Sequence, residues 1–148
     1  MTPEAQLYDA VIGLIETRLA GSGWRTAAAI RLDDGTVLTG IGLADVNAGA
    51  GLCAEVGPLA QAWTEDRAVV ASICVNRDAA RGTDVVLAPC GLCQERLALW
   101  GPDVEVGVAD RTAPDGWRFR RLADLMPYYW AGALTTDGQW PGRQDHAE

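Results

Sequence analysis

Lysine is absent from this chain: all 12 basic residues are arginine, against 20 acidic ones, for a formal net charge of −8. Without lysine there is no Schiff base to pyridoxal or to a carbonyl substrate, and no phosphate-loop lysine. The plain reading of that absence is a composition bias. The acidic balance argues against a nucleic acid polymer as partner, since such partners are met by a basic stripe. The only histidine, His146, stands near the C-terminus, so one copy of the chain can assemble neither a histidine-held metal nor a serine–histidine couple. No apolar run approaches the ~20 residues that cross a bilayer, and the acidic, polar start does not resemble a signal peptide. These absences lead us to expect a soluble, cytoplasmic protein with no membrane partner. Its 148 residues suit one domain with a single core.

What remains for chemistry is cysteine. Four cysteines in a chain without a secretory signal point to metal binding or catalysis more than to a disulfide framework. Three of them fall in two short motifs, Cys53-Ala54-Glu55 and Pro89-Cys90-Gly91-Leu92-Cys93. Cys90 and Cys93, one helical turn apart, present both sulfurs to the same side. Cys53 and Glu55 would face nearly opposite sides of a continuous helix, so they serve one site only if Cys53 lies in a first turn. Three thiolates can hold zinc and leave its fourth position open, which separates a catalytic zinc from a structural one. Glu55 beside it then has a proton to carry. Two other readings stay open. Cys90 and Cys93 could form a redox pair whose first thiol is acidified by a helix N-terminus. Cys74 could close a four-cysteine structural zinc, although in its apolar run it reads more simply as a small hydrophobe.

Along the chain, Thr2-Pro3 reads as an N-cap with proline at the first helical position, and an apolar stripe from Leu7 to Leu19 predicts a helix over about Pro3 to Ala20. Trp24 to Leu32 and Thr36 to Leu43 flank Asp33-Asp34-Gly35, a hairpin signal. Ala44 to Gly51 is a small, polar loop leading to a helix from about Cys53 to Asp66. Arg67 to Val75 reads as a buried strand and Val85 to Leu87 as a short one, joined by a turn over Asn76 to Asp84. Gly91 to Trp100 is helical, Val104 to Val108 a strand, and Arg121 to Leu125 a short last helix. The order predicts a three-layer α/β domain over residues 1–131, with a mixed five-stranded sheet between helices. Gly132 to Glu148 reads as a mobile tail.

The paired cysteine motifs resemble those of the cytidine deaminase family, in the branch whose zinc ligands are all cysteines. The resemblance runs from about Trp24 to Trp130. It implies an α/β/α sandwich, one Zn2+ per subunit on Cys53, Cys90 and Cys93 between the starts of the second and third helices, and Glu55 as the catalytic proton carrier. It further implies a homotetramer, and a pyrimidine gripped by the backbone of Ala54 and the carbonyl of Ala88 or Pro89. The reaction implied is hydrolysis of a free cytosine nucleoside or analogue to the uracil form with release of ammonia. A rival of another class keeps the zinc for structure and uses the pocket only to bind a nucleoside.

Several residues depart from the family pattern. Relatives often carry an arginine directly after Cys-Ala-Glu, where this chain has Val56; Arg96 or Arg25 is the candidate to offset the excess charge of three thiolates. Enzymes for cytidine usually hold the ribose with Asn-x-Glu, and those places are Gly42 and Ala44, leaving Asp45 and Asn47 as nearby substitutes. The non-arginine at Val56 and the ending Leu125-Met126-Pro127-Tyr128-Tyr129-Trp130 are similar to the blasticidin-S deaminase branch. Trp24, Trp63, Trp100, Tyr128, Tyr129 and Trp130 are candidates for an aromatic wall, with the core as the commoner use of such side chains.

Overall fold

In the computed structural model, residues 1–21, 23–44 and 46–141 are described, the side chain of Trp24 excepted. The first helix, α1 (Pro3–Arg18), starts where Thr2 Oγ1 accepts the Ala5 N–H at 3.2 Å, with Pro3 in the first turn. Its Leu7, Val11 and Ile15 recur every fourth position and are fully buried, so one stripe drives the whole helix onto the sheet.

Strands β1 (Trp24–Leu32) and β2 (Val37–Ile41) form the expected hairpin. Its turn is made by Gly35 at φ 88° and by Asp34 Oδ1, which accepts the Thr36 N–H at 2.9 Å. After α2 (Val56–Thr64), strand β3 (Val69–Asp78) pairs antiparallel with β1 along its length. The other edge of β3 is shared. Its C-terminal half takes β4 (Thr83–Leu87) antiparallel, and its N-terminal half takes β5 (Glu105–Ala109) parallel. Between those two partners the chain leaves the sheet to form α3 (Gly91–Leu97), continued by a 3-10 turn over Ala98–Trp100.

Among the described residues the sheet has six strands, not five, because β6 (Trp117–Arg121) pairs antiparallel with β5 before the short α4 (Leu122–Leu125). Trp117-Arg-Phe-Arg-Arg has none of the β-branched residues that mark a strand in sequence. Its aromatic positions nevertheless alternate inward, Trp117 stacking on Tyr8 of α1 at 5.3 Å. The sheet stays mixed and carries helices on both faces, as expected. One core lies under α1 and joins Leu7, Val11 and Ile15 to Ala27, Ala29, Ile73 and Val75. A second lies between the sheet and α2 and α3, around Ile30, Leu59, Leu97 and Val106.

Helix α2 begins at Val56, not at Cys53, and β3 continues to Asp78 through residues read as a turn. Residues 132–141, read as the start of a tail, include the end of a 3-10 helix over Trp130–Leu134. Trp140 then lies against Tyr129 with ring centroids 4.4 Å apart. The remainder of the expected tail, with His146, lies outside the described residues.

Candidate active site

Two chain segments deliver the cysteines to the same place. The first descends from β2, where Leu43 and Leu52 exchange backbone hydrogen bonds of 2.9 and 3.0 Å and so pinch off the loop between them. Within that loop Asn47 Oδ1 accepts the Gly49 N–H at 3.0 Å, the self-capping habit of a loop asparagine. Gly40 lets the segment approach the sheet, since a Cβ there would stand 2.5 Å from both the Ala54 carbonyl oxygen and Pro58 Cδ. Cys53 precedes α2, and the bonds Val56 N–H to Cys53 O and Leu59 N–H to Glu55 O carry the chain through a turn into the helix. That turn resolves the spacing problem: Cys53 and Glu55 sit side by side because no continuous helix joins them.

The second segment comes off the end of β4. Leu87 lies opposite Cys74 of β3, and the chain passes through Ala88 and Pro89 to Cys90, the N-cap of α3. Gln94 Nε2 donates to the Pro89 carbonyl at 2.8 Å, which fixes the entry. The sulfurs of Cys53, Cys90 and Cys93 lie within 4.8 Å of one another, with Cys53 and Cys90 at 3.4 Å. Cys93 is fully buried, Cys90 exposed, and Cys53 between the two. The three sulfurs could hold a metal ion. Cys74 stands outside that cluster among the described residues and packs against Ala28 and Ala54, a small hydrophobe as read.

Electrostatics distinguish the three thiols. At Cys90 burial acts upward, but the backbone N–H groups of Cys93 and Leu92, with the Cys53 thiol, outweigh it and bring the pKa below the ordinary value. Burial pushes Cys53 up, and so does its bond to Cys90. Burial pushes Cys93 well above the usual thiol range, reinforced by Glu55 and the other two sulfurs. Glu55 is 4% exposed. Burial raises its carboxyl, against the pull of its own backbone N–H, the Cys93 thiol and the Arg96 charge. Arg96 Nη1 reaches Cys93 Sγ at 3.9 Å.

A cavity of about 350 Å³ opens over this cluster, lined by Cys53, Ala54, Glu55 and Cys90 at one end and by Gly42, Leu43, Ala44, Leu52, Leu87 and Ala88 elsewhere. Of the residues singled out in sequence, Gly42, Ala44, Ala54 and Ala88 therefore line it. Asp45 and the side chain of Trp24 lie outside the described residues. Tyr129 and Trp130 do not reach it. Both donate to Glu95 of α3, at 2.8 Å and 3.1 Å, and border a separate cavity on the outer side of that helix. Trp63 and Trp100 meet edge to face beside a third cavity, which Val56 and Arg96 also line. Arg25 stands at an odd-numbered position of β1, the face that carries Ala27 and Ala29 to α1, and its guanidinium donates to the Ala20 carbonyl at 2.9 Å. Strand alternation therefore separates Arg25 from the cysteines and leaves Arg96 as the arginine beside them.

Thr26 lines the cavity floor and was not singled out in sequence; its hydroxyl oxygen accepts from Asn76 Nδ2 at 2.7 Å. Its alternation with Ala28 was readable, but its partner, 50 residues away, was not.

No family model matches the chain. A curated cytidine deaminase of Mycobacterium tuberculosis is 35% identical over 107 residues, 72% of each chain. Among solved structures, the cytidine deaminase from Bacillus anthracis superposes with a TM-score of 0.83 at 41% identity, over 90% of this chain and 93% of that one. The enzyme from Burkholderia pseudomallei gives a TM-score of 0.67 at 26% identity, over 86% and 98%. With that identity sustained over more than two thirds of its length, and with the same fold around the paired cysteine motifs, the chain belongs to the cytidine deaminase family.

Proposed function

We propose that this protein hydrolyses the exocyclic amine of a free cytosine nucleoside, or a close analogue, to the uracil form with release of ammonia, using Zn2+ held by Cys53, Cys90 and Cys93. The observation that carries this reading is three sulfurs within 4.8 Å of one another beside a buried carboxyl, at the end of a cavity large enough for a small ligand. The donor set fits zinc, since four-coordinate Zn–S bonds of about 2.3 Å place sulfurs about 3.8 Å apart. No fourth cysteine closes the cluster among the described residues.

Zinc bound there supplies a water acidified for attack on C4 of the ring. With zinc in place, Glu55 would take one proton from the attacking water and place it on ring nitrogen N3, then take the second from the C4 hydroxyl as it becomes the carbonyl and place it on the exocyclic nitrogen that leaves as ammonia. Burial suits Glu55 to this task, because it raises the carboxyl above its ordinary value and so makes it a better proton acceptor than an exposed carboxylate. Three thiolates leave the zinc site with an excess of about one negative charge. Arg96, from the α3 side, and the N–H groups at the start of α3 offset it where Val56 cannot. The Ala54 backbone and the Ala88 carbonyl are the groups that hold the pyrimidine edge. Leu43, Leu52 and Leu87 line the cavity yet stay exposed, which supports a homotetramer with neighbouring subunits against that rim. Four free thiols suit a reducing cytoplasm.

The test is metal analysis together with loss of cytosine absorbance on cytidine, deoxycytidine, cytosine and blasticidin S. Stoichiometric zinc and turnover of at least one compound is the expected result. Zinc with no turnover on any of them means a nucleoside-binding module, and turnover unaffected by zinc removal means a different chemistry. Arg96→Gln is expected to weaken zinc in competition with a chelator about tenfold, roughly the weight of one charge-assisted contact. Unchanged affinity removes its compensating role.

A further inference from the structure

Apart from Glu55, Thr26 is the one described side chain lining the cavity that carries an oxygen or nitrogen. The chemistry proposed above gives it no part. A hydroxyl offers one proton and two lone pairs. One lone pair is taken by Asn76 Nδ2, which donates at 2.7 Å from the position of β3 directly opposite, so the half-buried side chain is held in one orientation. Its proton has no acceptor among the described residues.

Strand register sets how far that proton lies from the thiol cluster. Ala28, Cys74 and Leu87 form one row across β1, β3 and β4, and Ala28 and Cys74 pack against Ala54, which stands between Cys53 and Glu55 in the chain. Thr26, Asn76 and Val85 form the next row on the same face, two residues and about 7 Å further along the strands. That step is comparable with the reach from C4 of a cytosine, across the ring, to the first oxygens of a sugar on N1. Continued by one residue, the β1–β2 register brings Gly42 opposite Thr26, and a glycine there lays no side chain over the hydroxyl. Resting on the deaminase reading above, we infer that Thr26 determines specificity: its hydroxyl donates to an oxygen of the substrate's sugar, the ring oxygen or the 2′-hydroxyl, and Asn76 positions it for that bond. The preferred ligand is then a cytosine with an oxygen-bearing N1 substituent, not the bare base.

The experiment measures kcat and KM on the zinc-loaded protein and its Thr26→Val, Thr26→Ser and Asn76→Asp variants. The substrates are cytidine, 2′-deoxycytidine and carbocyclic cytidine, in which a methylene replaces the sugar ring oxygen. In parallel, calorimetric binding of the same compounds is measured on the zinc-loaded Glu55→Gln protein with and without Thr26→Val. Valine keeps the shape and suits a strand. Thr26→Val should raise KM for cytidine roughly 3–10-fold, the weight of one neutral hydrogen bond, with kcat unchanged. Thr26→Ser keeps the hydroxyl and should stay within about twofold of the parent protein. Asn76→Asp presents only acceptors to Thr26, takes its proton, and should match Thr26→Val. The analogue that lacks the accepting oxygen should not respond to Thr26→Val, which tells the ring oxygen from the 2′-hydroxyl. A purely structural role would raise all three KM values together. That result, or an unchanged KM for cytidine in Thr26→Val, overturns the inference while the deaminase reading stands. Absence of turnover by the parent protein on all three compounds overturns the deaminase reading instead, and the calorimetric series then decides the Thr26 contact by itself.

Discussion

On one face of β1 and β3, Ala27, Ala29, Ala71, Ile73 and Val75 enter the core under α1; on the other, Thr26, Ala28 and Cys74 lie beneath the cavity. The strands are the same and small residues occur on both faces, so strand composition alone does not decide where a site forms. What differs is the cover. Helix α1 lays Leu7, Val11 and Ile15 across its face and fills it. On the opposite face α2 and α3 begin beside the cavity, so the first residues they present are Cys53, Glu55 and Cys90, not long aliphatic side chains. A face covered by helix starts gains backbone N–H groups and loses packing, and the lowered Cys90 thiol is the direct result.

The sharpest way to break this contrast is Glu55→Gln. Activity should fall about 10²–10⁴-fold while bound zinc, measured by metal analysis, stays stoichiometric. Retained activity would remove Glu55 from the chemistry. Ile73→Ala, one position along β3 from Cys74 but on the opposite face, should cost about 2–5 kcal/mol in denaturant unfolding with kcat/KM of the folded protein unchanged. A drop in zinc affinity in that variant would show that the two faces are not independent.

Equal crowding on the two faces provides a finer comparison. A Cβ at Gly107 would stand 2.7 Å from Ile73 Cγ1, and one at Gly40 2.5 Å from the Ala54 carbonyl oxygen. Both Gly→Ala changes should cost about 1–3 kcal/mol. Only Gly40→Ala should also weaken zinc, since it alone pushes on the Cys53–Glu55 turn; equal zinc loss in both would contradict this.

The smallest effect lies on the outer side of α3. Burial and the bond to Glu95 raise the Tyr129 phenol from 10.0 to about 12. Below pH 10 both folded and unfolded chains hold that proton. Between about 10 and 12 the unfolded chain loses it first, so stability should decline as pH rises through this window. Tyr129→Phe should flatten that part of the unfolding curve, and an unaltered decline would show that another group is responsible.

The hairpin at Asp33–Gly35, the capped α1 and the cysteine motifs were legible because each rests on residues adjacent in sequence. Strand β6 was not, since Trp117 is held by stacking on Tyr8, more than a hundred positions earlier, and Phe119 by meeting Trp117 edge to face. Helix α2 starts at Val56, later than the pattern implied, and its close approach to Gly40 through Ala54 and Pro58 is a tertiary contact without a local signal. The cysteine cluster could be proposed from spacing alone. The roles of Arg96 and Arg25 could be told apart only once strand alternation placed Arg25 beneath α1. Tyr129 and Trp130 belonged to Glu95, a pairing across 34 and 35 residues that the sequence does not announce.

That clasp also sets the order in which the site can be finished during synthesis. Helix α3 is only seven residues long, too short to persist alone in water. Its Glu95 is held by Tyr129 and Trp130, which follow it by 34 and 35 residues. Cys90 and Cys93 ride on that helix. A nascent chain can therefore complete β1 through β5 and still lack a firmly placed cysteine cluster until this later aromatic pair arrives.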